Sequence, residues 1–433
     1  MRPLLLDIYR LTGFFLYPLV RLAAPIIRLL PGRIAYNFSQ RLGVYGKGGR
    51  ADLFEHTDKP SIWLHAASMG EMQAALILLN GLCKKYVGYR YILSSTTKQG
   101  CQLAQSRLPK EIDCIVAPLD MPQAVNRAIQ AIRPSMYICL ETELWPQLLT
   151  TLQTHRVPML LLNGRMSARS LQSYKKIRTT IAAVLQGFSA MALISQRDLE
   201  RFVELGVAPE RMTVTGNIKF DLPCAADSAH AIRAAHRTRL GLDGQEKVLI
   251  CGSTHGGEEE LLLSAFLQLG REMPLILVLA PRHQERFAAV EALLRTQGCS
   301  FERYSQLRGG RSGQVVLVDT MGDLADLYSA ADFIFCGGSL LPRLSGHNVM
   351  EAARWGRPVY FGPHMKDWQD AADLLVQAGG GFEVEDMTAL TSLVREHAAS
   401  PPAYERACLA ARETAASQRG ALARQIERVH GFL

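Results

Sequence analysis

From Ser61 onward, short runs of apolar and β-branched residues alternate with longer stretches of helical period. SIWLHAA (61–67), YILSSTT (91–97), CIVAPL (114–119), MYICLET (136–142), PMLLLNG (158–164), AMALIS (190–195) and TVTG (213–216) read as strands buried on both faces. The alternation pauses over NIKFDLPCAADSAHA (217–231), which has no clear period. It resumes with VLICGST (248–254), LILVLAP (275–281), VVLVDT (315–320), FIFCGGS (333–339) and PVYFG (358–362). Strands alternating with helices predict an α/β fold with parallel sheets covered on both faces. The pause predicts two Rossmann-like doubly wound domains, 51–216 and 232–400, joined by a linker over 217–231 and facing a central cleft. Residues 401–433 read as a C-terminal helix that packs back on the first domain.

Residues 1–50 break this pattern. Leu4 to Leu30 are strongly apolar, but Asp7, Arg10, Arg21 and Arg28 interrupt them, and Pro18 and Pro25 predict kinks. No unbroken apolar stretch reaches the roughly 20 residues needed to span a bilayer. Arg2 ahead of Leu11 to Val20 is compatible with a signal peptide, but no small-residue cleavage pattern follows. The basic set is Arg2, Arg10, Arg21, Arg28, Arg33, Arg41, Lys47 and Arg50 against the single acid Asp7. An apolar face flanked by arginines predicts a segment lying in an anionic membrane interface; the alternative is a helix docked on the protein's own core.

Composition narrows the class. With 433 residues, 48% hydrophobic and 20% charged, the chain has enough apolar surface for folded domains, which excludes disordered, collagen-like and multi-span membrane proteins. A net charge of +8 favours anionic partners. Nucleic acid is disfavoured, because no recognised motif accompanies the charge and aromatics are not interleaved with it. Nine scattered cysteines lack metal-type spacing, and several fall inside strands, as in MYICLE and FIFCGG. They read as small buried hydrophobes in a reducing compartment, with no metal site.

Ligands of open parallel sheets sit beyond the carboxyl ends of strands, so the candidate chemistry is sought there. HAASMGEMQAA (65–75) ends a strand and opens a helix, putting Ser68, Gly70 and Glu71 at such an edge. Glu71 in the first turn could act as a general base, but spacing alone favours reading Ser68-x-x-Glu71 as a capping box whose side chains only satisfy backbone donors. ICLETELWP (138–146) ends another strand with Glu141 and Glu143, apt for orienting hydroxyls, and LLNGRMSARS brings Arg165. Lys219 stands beside the hinge. In the second half, CGSTHGGEEE (251–260) is a Gly-rich turn matching neither a P-loop nor GxGxxG. Pro281, Arg282 and His283 end a strand, and Thr320-x-x-Asp323 reads as a capping box. CGGSLLPRLSGHNVMEAARWGRPVYFG (336–362) carries Gly337, Gly338 and Ser339 at a strand end and His347 before a helix starting near Asn348. Amides there suit a phosphate, and Glu351 suits two ribose hydroxyls.

Taken together these segments resemble the Kdo (3-deoxy-D-manno-octulosonic acid) transferases of Gram-negative bacteria. The likeness runs from RLGVYG (41–46) through ASMGE, ETELWP, LNGRMS, GNIKFD, GSTHGGEEE, APRH, MGDL and GGSLLPRLSGHN to PVYFGPHMKDW. It implies a GT-B glycosyltransferase at the cytoplasmic face of the inner membrane. An acceptor domain would bind the lipid A precursor, and a second domain CMP-Kdo, with no metal or other cofactor. It also implies that Glu71 is the catalytic base of an inverting transfer. Pro281, Arg282, Gly322, Asp323, Leu324, Asn348, Val349, Met350 and Glu351 fall on the CMP-contacting segments. The sequence has NVME, PRHQER and MGDL where the family usually has NPLE, PRHPER and MGEL. A missing proline there mainly alters conformational entropy. A nucleotide-sugar epimerase and a non-catalytic membrane-attached nucleotide-sugar binder are the competing readings.

Overall fold

The computed structural model describes residues 3–29, 35–45, 59–109, 112–221, 226–242, 244–308 and 310–433. Arg2, Arg33, Lys47, Arg50, Cys224, the Arg28 side chain and the expected boundary after residue 50 lie outside them. The chain divides into two compact units, Met1–Asp221 with Gly420–Leu433, and Leu222–Arg419.

The first unit is built on β1 (Ser61–His65), β2 (Arg90–Ser95), β3 (Asp113–Val116), β4 (Pro134–Leu140), β5 (Met159–Gly164), β6 (Ala190–Leu193) and β7 (Met212–Val214). All pair in parallel, in the order β3-β2-β1-β4-β5-β6-β7. Alternate side chains feed two cores. Trp63, Tyr137 and Cys139 face one side, and Ile62, Leu64, Met136 and Ile138 the other. This is why these strands read as unbroken apolar runs rather than alternating ones. Chain order reverses between β1 and β4, with His65 paired to Cys139 at the carboxyl edge.

The second unit repeats the plan with β8 (Lys247–Thr254), β9 (Leu275–Pro281), β10 (Phe301–Arg303), β11 (Val315–Leu317), β12 (Phe333–Cys336), β13 (Val359–Phe361) and β14 (Gly381–Glu383). These strands too are parallel, in the order β10-β11-β9-β8-β12-β13-β14. Here the order reverses between β8 and β12. A crevice opens at such a reversal because the helices after its two strands lie on opposite faces.

Three local expectations change. Leu4–Leu29 is one continuous helix, long and apolar enough to cross a membrane by length and composition, in spite of Pro18 and Pro25. Pro18 leaves the Phe14 carbonyl without its helical donor, and Gln123 Nε2 supplies a replacement at 3.0 Å. The expected 401–433 helix is two helices, Pro401–Ser417 and Ala421–His430, because Gly420 turns left-handed at φ 74°. The first of them belongs to the second unit, and the last helix belongs to the first. The 217–231 segment, expected to be a linker throughout, contains a 3₁₀ turn, Ile218–Phe220, and the start of a helix, Ala226–Arg239.

Candidate functional site

At the β1/β4 reversal of the first unit, Ser68 caps the Met69–Lys85 helix. The Glu71 N–H donates to Ser68 Oγ at 3.3 Å. The Glu71 carboxylate folds back over the turn, accepting from Ser68 Oγ at 2.8 Å and from the Ala67 N–H at 2.7 Å. The capping arrangement is therefore formed, and it also fixes a carboxylate only 9% exposed at the edge of the sheet. Burial, then the charge of Glu141, raises the Glu71 pKa; the Ser68 and Ala67 bonds and Lys219 oppose the rise.

Glu141 follows β4 directly in a left-handed conformation at φ 55°, and Thr142 comes next at 87°. That backbone turn brings its carboxylate to Lys219 Nζ and, at 3.3 Å, to Arg165 Nε. Lys219 is set by two bonds near its turn: Asn217 Oδ1 accepts from the Lys219 N–H, and Asn163 Oδ1 from the Ile218 N–H, each at 3.0 Å. A side chain on Gly70 would come within 3.9 Å of Lys219 Nζ, so that glycine borders the same site. Glu143 is pushed up to about 7 by burial first and then by Glu71. The sequence-predicted Ser68, Gly70, Glu71, Glu141, Arg165 and Lys219 thus converge, and Glu143 joins them electrostatically. Sequence reasoning missed His65, fully buried, whose Nδ1 lies 2.9 Å from Ser94 Oγ and whose pKa burial lowers to about 4.

The second unit holds a cavity of about 310 Å³ near its own reversal point. Pro281, Arg282, Gly322, Leu324, His347, Asn348 and Glu351 line it, together with Thr320, Met321 and Tyr328. Asn348 caps the short Val349–Ala353 helix through the Met350 N–H at 3.1 Å and reaches Glu351 Oε1 at 3.4 Å. Burial raises the Glu351 pKa, opposed by Arg354, Asn348 and Arg282. Thr320 Oγ1 is buried with no hydrogen-bond partner among the described residues, so the cavity wall contains a hydroxyl to be satisfied.

Other predicted residues support this cavity without lining it. The amides of Gly338 and Ser339, two residues expected to bind CMP-Kdo, donate to the buried Glu258 carboxylate at 2.7 and 2.9 Å. The Gly337 amide donates to the Gly252 carbonyl at 2.8 Å. Val349 and Met350 are buried in the core. Asp323 precedes the Leu324–Leu327 helix but makes no side-chain cap, so the expected Thr320–Asp323 capping box is not formed. Glu258 also accepts from the His255 N–H at 3.0 Å, stitching the loop after β8 to the loop after β12. No sequence motif announced that stitch, because its halves lie about 80 residues apart. Among the described residues, no group of three His, Cys, Asp or Glu is placed to hold a metal ion, and eight cysteines are unpaired.

Residues 36–222 match the family described as 3-deoxy-D-manno-octulosonic-acid transferase (kdotransferase). The chain is 31% identical over 427 residues to the 3-deoxy-D-manno-octulosonic acid transferase of Haemophilus influenzae, covering 97% of this chain and 98% of that one. It is 31% identical over 384 residues to the enzyme of the same name from Bordetella pertussis, covering 86% and 87%. Among solved structures, MurG of Acinetobacter baumannii superposes with a TM-score of 0.57 at 15% identity, covering 86% of this chain and 99% of its own. A UDP-GlcNAc 2-epimerase from Neisseria meningitidis superposes at 0.53 and 14% identity, covering 86% and 100%. These two likenesses give the fold, which is GT-B.

Proposed function

The chain belongs to the 3-deoxy-D-manno-octulosonic acid (Kdo) transferase family, and from that membership we propose that it moves Kdo from CMP-Kdo to a lipid A precursor, with inversion and with Glu71 as general base. The observation that carries the base assignment is the Glu71 carboxylate, held at the switch-point edge with a raised pKa. A carboxylate whose affinity for protons is raised toward neutrality is a better acceptor for a sugar hydroxyl's proton. As that hydroxyl attacks the anomeric carbon, the C–O bond to phosphate breaks through an oxocarbenium-like state and CMP departs. Glu141 keeps Lys219 beside the site as a fixed cation.

In the second unit, Glu351 suits the ribose hydroxyls, Thr320 Oγ1 a polar atom of the nucleotide, and Arg282 the phosphate. The leaving group carries a single phosphate, whose charge Arg282 meets. Transfer is accordingly expected to continue at an undiminished rate in a metal chelator; loss of activity restored by a divalent cation would contradict this. The exposed apolar face of the Leu4–Leu29 helix supports attachment to the cytoplasmic face of the inner membrane, where a lipid acceptor resides.

The test is Glu71→Gln, assayed by the mass of a tetra-acylated lipid A precursor incubated with CMP-Kdo. Turnover should fall at least about a hundredfold while CMP binding and the thermal midpoint hold. Near-normal turnover with the fold intact would remove Glu71 from the role. CMP release that requires no acceptor would favour an epimerase-type reaction instead.

A further inference from the structure

His255 follows β8 and His347 follows β12, the two strands flanking the switch point of the second unit. Their imidazole planes are 8° from parallel, with centroids 5.2 Å and Nε2 atoms 2.9 Å apart, so the rings meet end to end through their Nε2 atoms. His347 lines the cavity beside Arg282. Gly338, at φ 71°, leaves room for the pair, since a Cβ there would stand 2.6 Å from His347 Cδ2. The proposed mechanism gives this pair no task.

We propose that His255 and His347 act as one proton acceptor in the wall of the cavity, so that a nucleoside monophosphate binds there as its dianion together with one proton. The inference rests on the reading of this cavity as the CMP site. Two neutral imidazoles joined Nε2 to Nε2 hold opposite tautomers, one donating from Nε2 and the other carrying its proton on Nδ1. One further proton adds to the bare Nδ1 of the donor ring and leaves the Nε2–H···Nε2 bond in place, now charge-assisted. Another would set two N–H groups against each other, so the pair takes up one proton and refuses the next.

The surroundings keep the unliganded pair neutral near pH 7. Burial, His255, Arg282 and His283 hold His347 at about 4. Burial, His283, Arg282 and Arg286 lower His255, against the favourable charge of Glu258. Arg286 is paired with Glu259 at 3.0 Å, the His283 ring meets the His255 ring edge-on at 5.3 Å, and Arg343 is bonded to the Gly256 carbonyl on the same loop. A phosphate dianion beside Arg282 and His347 reverses this balance and draws in the proton.

Calorimetric titration of the full-length protein with CMP, at about pH 7.5 in two buffers of different ionisation enthalpy, reads the protons taken up. The wild type should take up close to one, and His347→Asn and His255→Gln close to none. Cytidine, lacking the phosphate, should also recruit none. Affinity of the wild type for CMP should weaken roughly five- to tenfold per pH unit above neutrality, and the variants' affinity should stay flat. The phosphorus NMR shift of bound CMP should be that of the dianion; a bound monoanion would assign the proton to the ligand and overturn the proposal. CMP binding without proton uptake would overturn the pair alone, whereas absence of CMP binding would overturn the nucleotide reading with it.

Discussion

Glu71, Glu141 and Glu143 gather at the switch-point edge, and burial there, ahead of neighbouring carboxylate charge, raises Glu71 and Glu143. Glu143 has the clearest consequence, since burial and the neighbouring Glu71 carry it from 4.5 to about 7. Its folded value lies above its unfolded one, so the stability tied to its protonated form is complete below about pH 4.5 and is lost as the pH rises through about 7. Glu143→Gln removes that loss. The variant should gain roughly 1–3 kcal/mol over the wild type between pH 5 and 8, read from thermal midpoints at the two pH values. An equal difference at both would show that Glu143 is not the titrating group. At this scale the sequence exposed Ser68-x-x-Glu71, whose spacing by itself favoured a cap over a base. The structure forms the cap, and the same turn holds the carboxylate that the proposed transfer uses as its base.

Elements decide how these residues are supported. In the Leu4–Leu29 helix, Leu6, Tyr17 and Ala24 form a buried seam on the first unit, and Tyr17 Oη donates to the Leu42 carbonyl at 3.0 Å. On the opposite face Leu4, Leu11, Phe15, Leu22, Ile26 and Leu29 recur at intervals of three, four and seven, and all are more than half exposed. Replacing Leu11, Phe15 and Leu22 with glutamine should leave the thermal midpoint unchanged and abolish sedimentation with anionic vesicles. Retained sedimentation would mean that this face is not the attachment surface. The self-docked reading of the segment describes the buried seam, and the membrane-facing reading is proposed for the exposed apolar face. The last helix, Ala421–His430, is held differently. Asp221 accepts from the Gly420 and Leu422 amides at 2.8 Å each, and the buried Gln425 accepts from the Asn163 N–H at 2.9 Å. Asp221→Ala leaves those amides uncapped and should destabilise the first unit by about 1–2 kcal/mol, seen as faster proteolysis near Arg419 and a lower midpoint.

For the whole molecule, the sequence by itself determined the class: two sets of parallel strands, their order along the chain, and the strand ends where chemistry gathers. This follows because strands buried on both faces must be apolar throughout, a local signal that no partner has to supply. The motif string running nearly the length of the chain likewise determined the family. Tertiary structure decided which strand ends are neighbours. Only the sheet orders place β1 beside β4 and β8 beside β12, and hence Glu71 near Glu141, and His255 against His347. It also gave the Gly338 and Ser339 amides to Glu258, where the sequence suggested direct contact with the nucleotide sugar. Buried amides must be satisfied by whichever acceptor the fold delivers, and a residue about 80 positions away leaves no mark on the local pattern. The return of the chain to the first unit after Gly420 has the same origin, a left-handed turn whose meaning depends on Asp221 waiting on the other side.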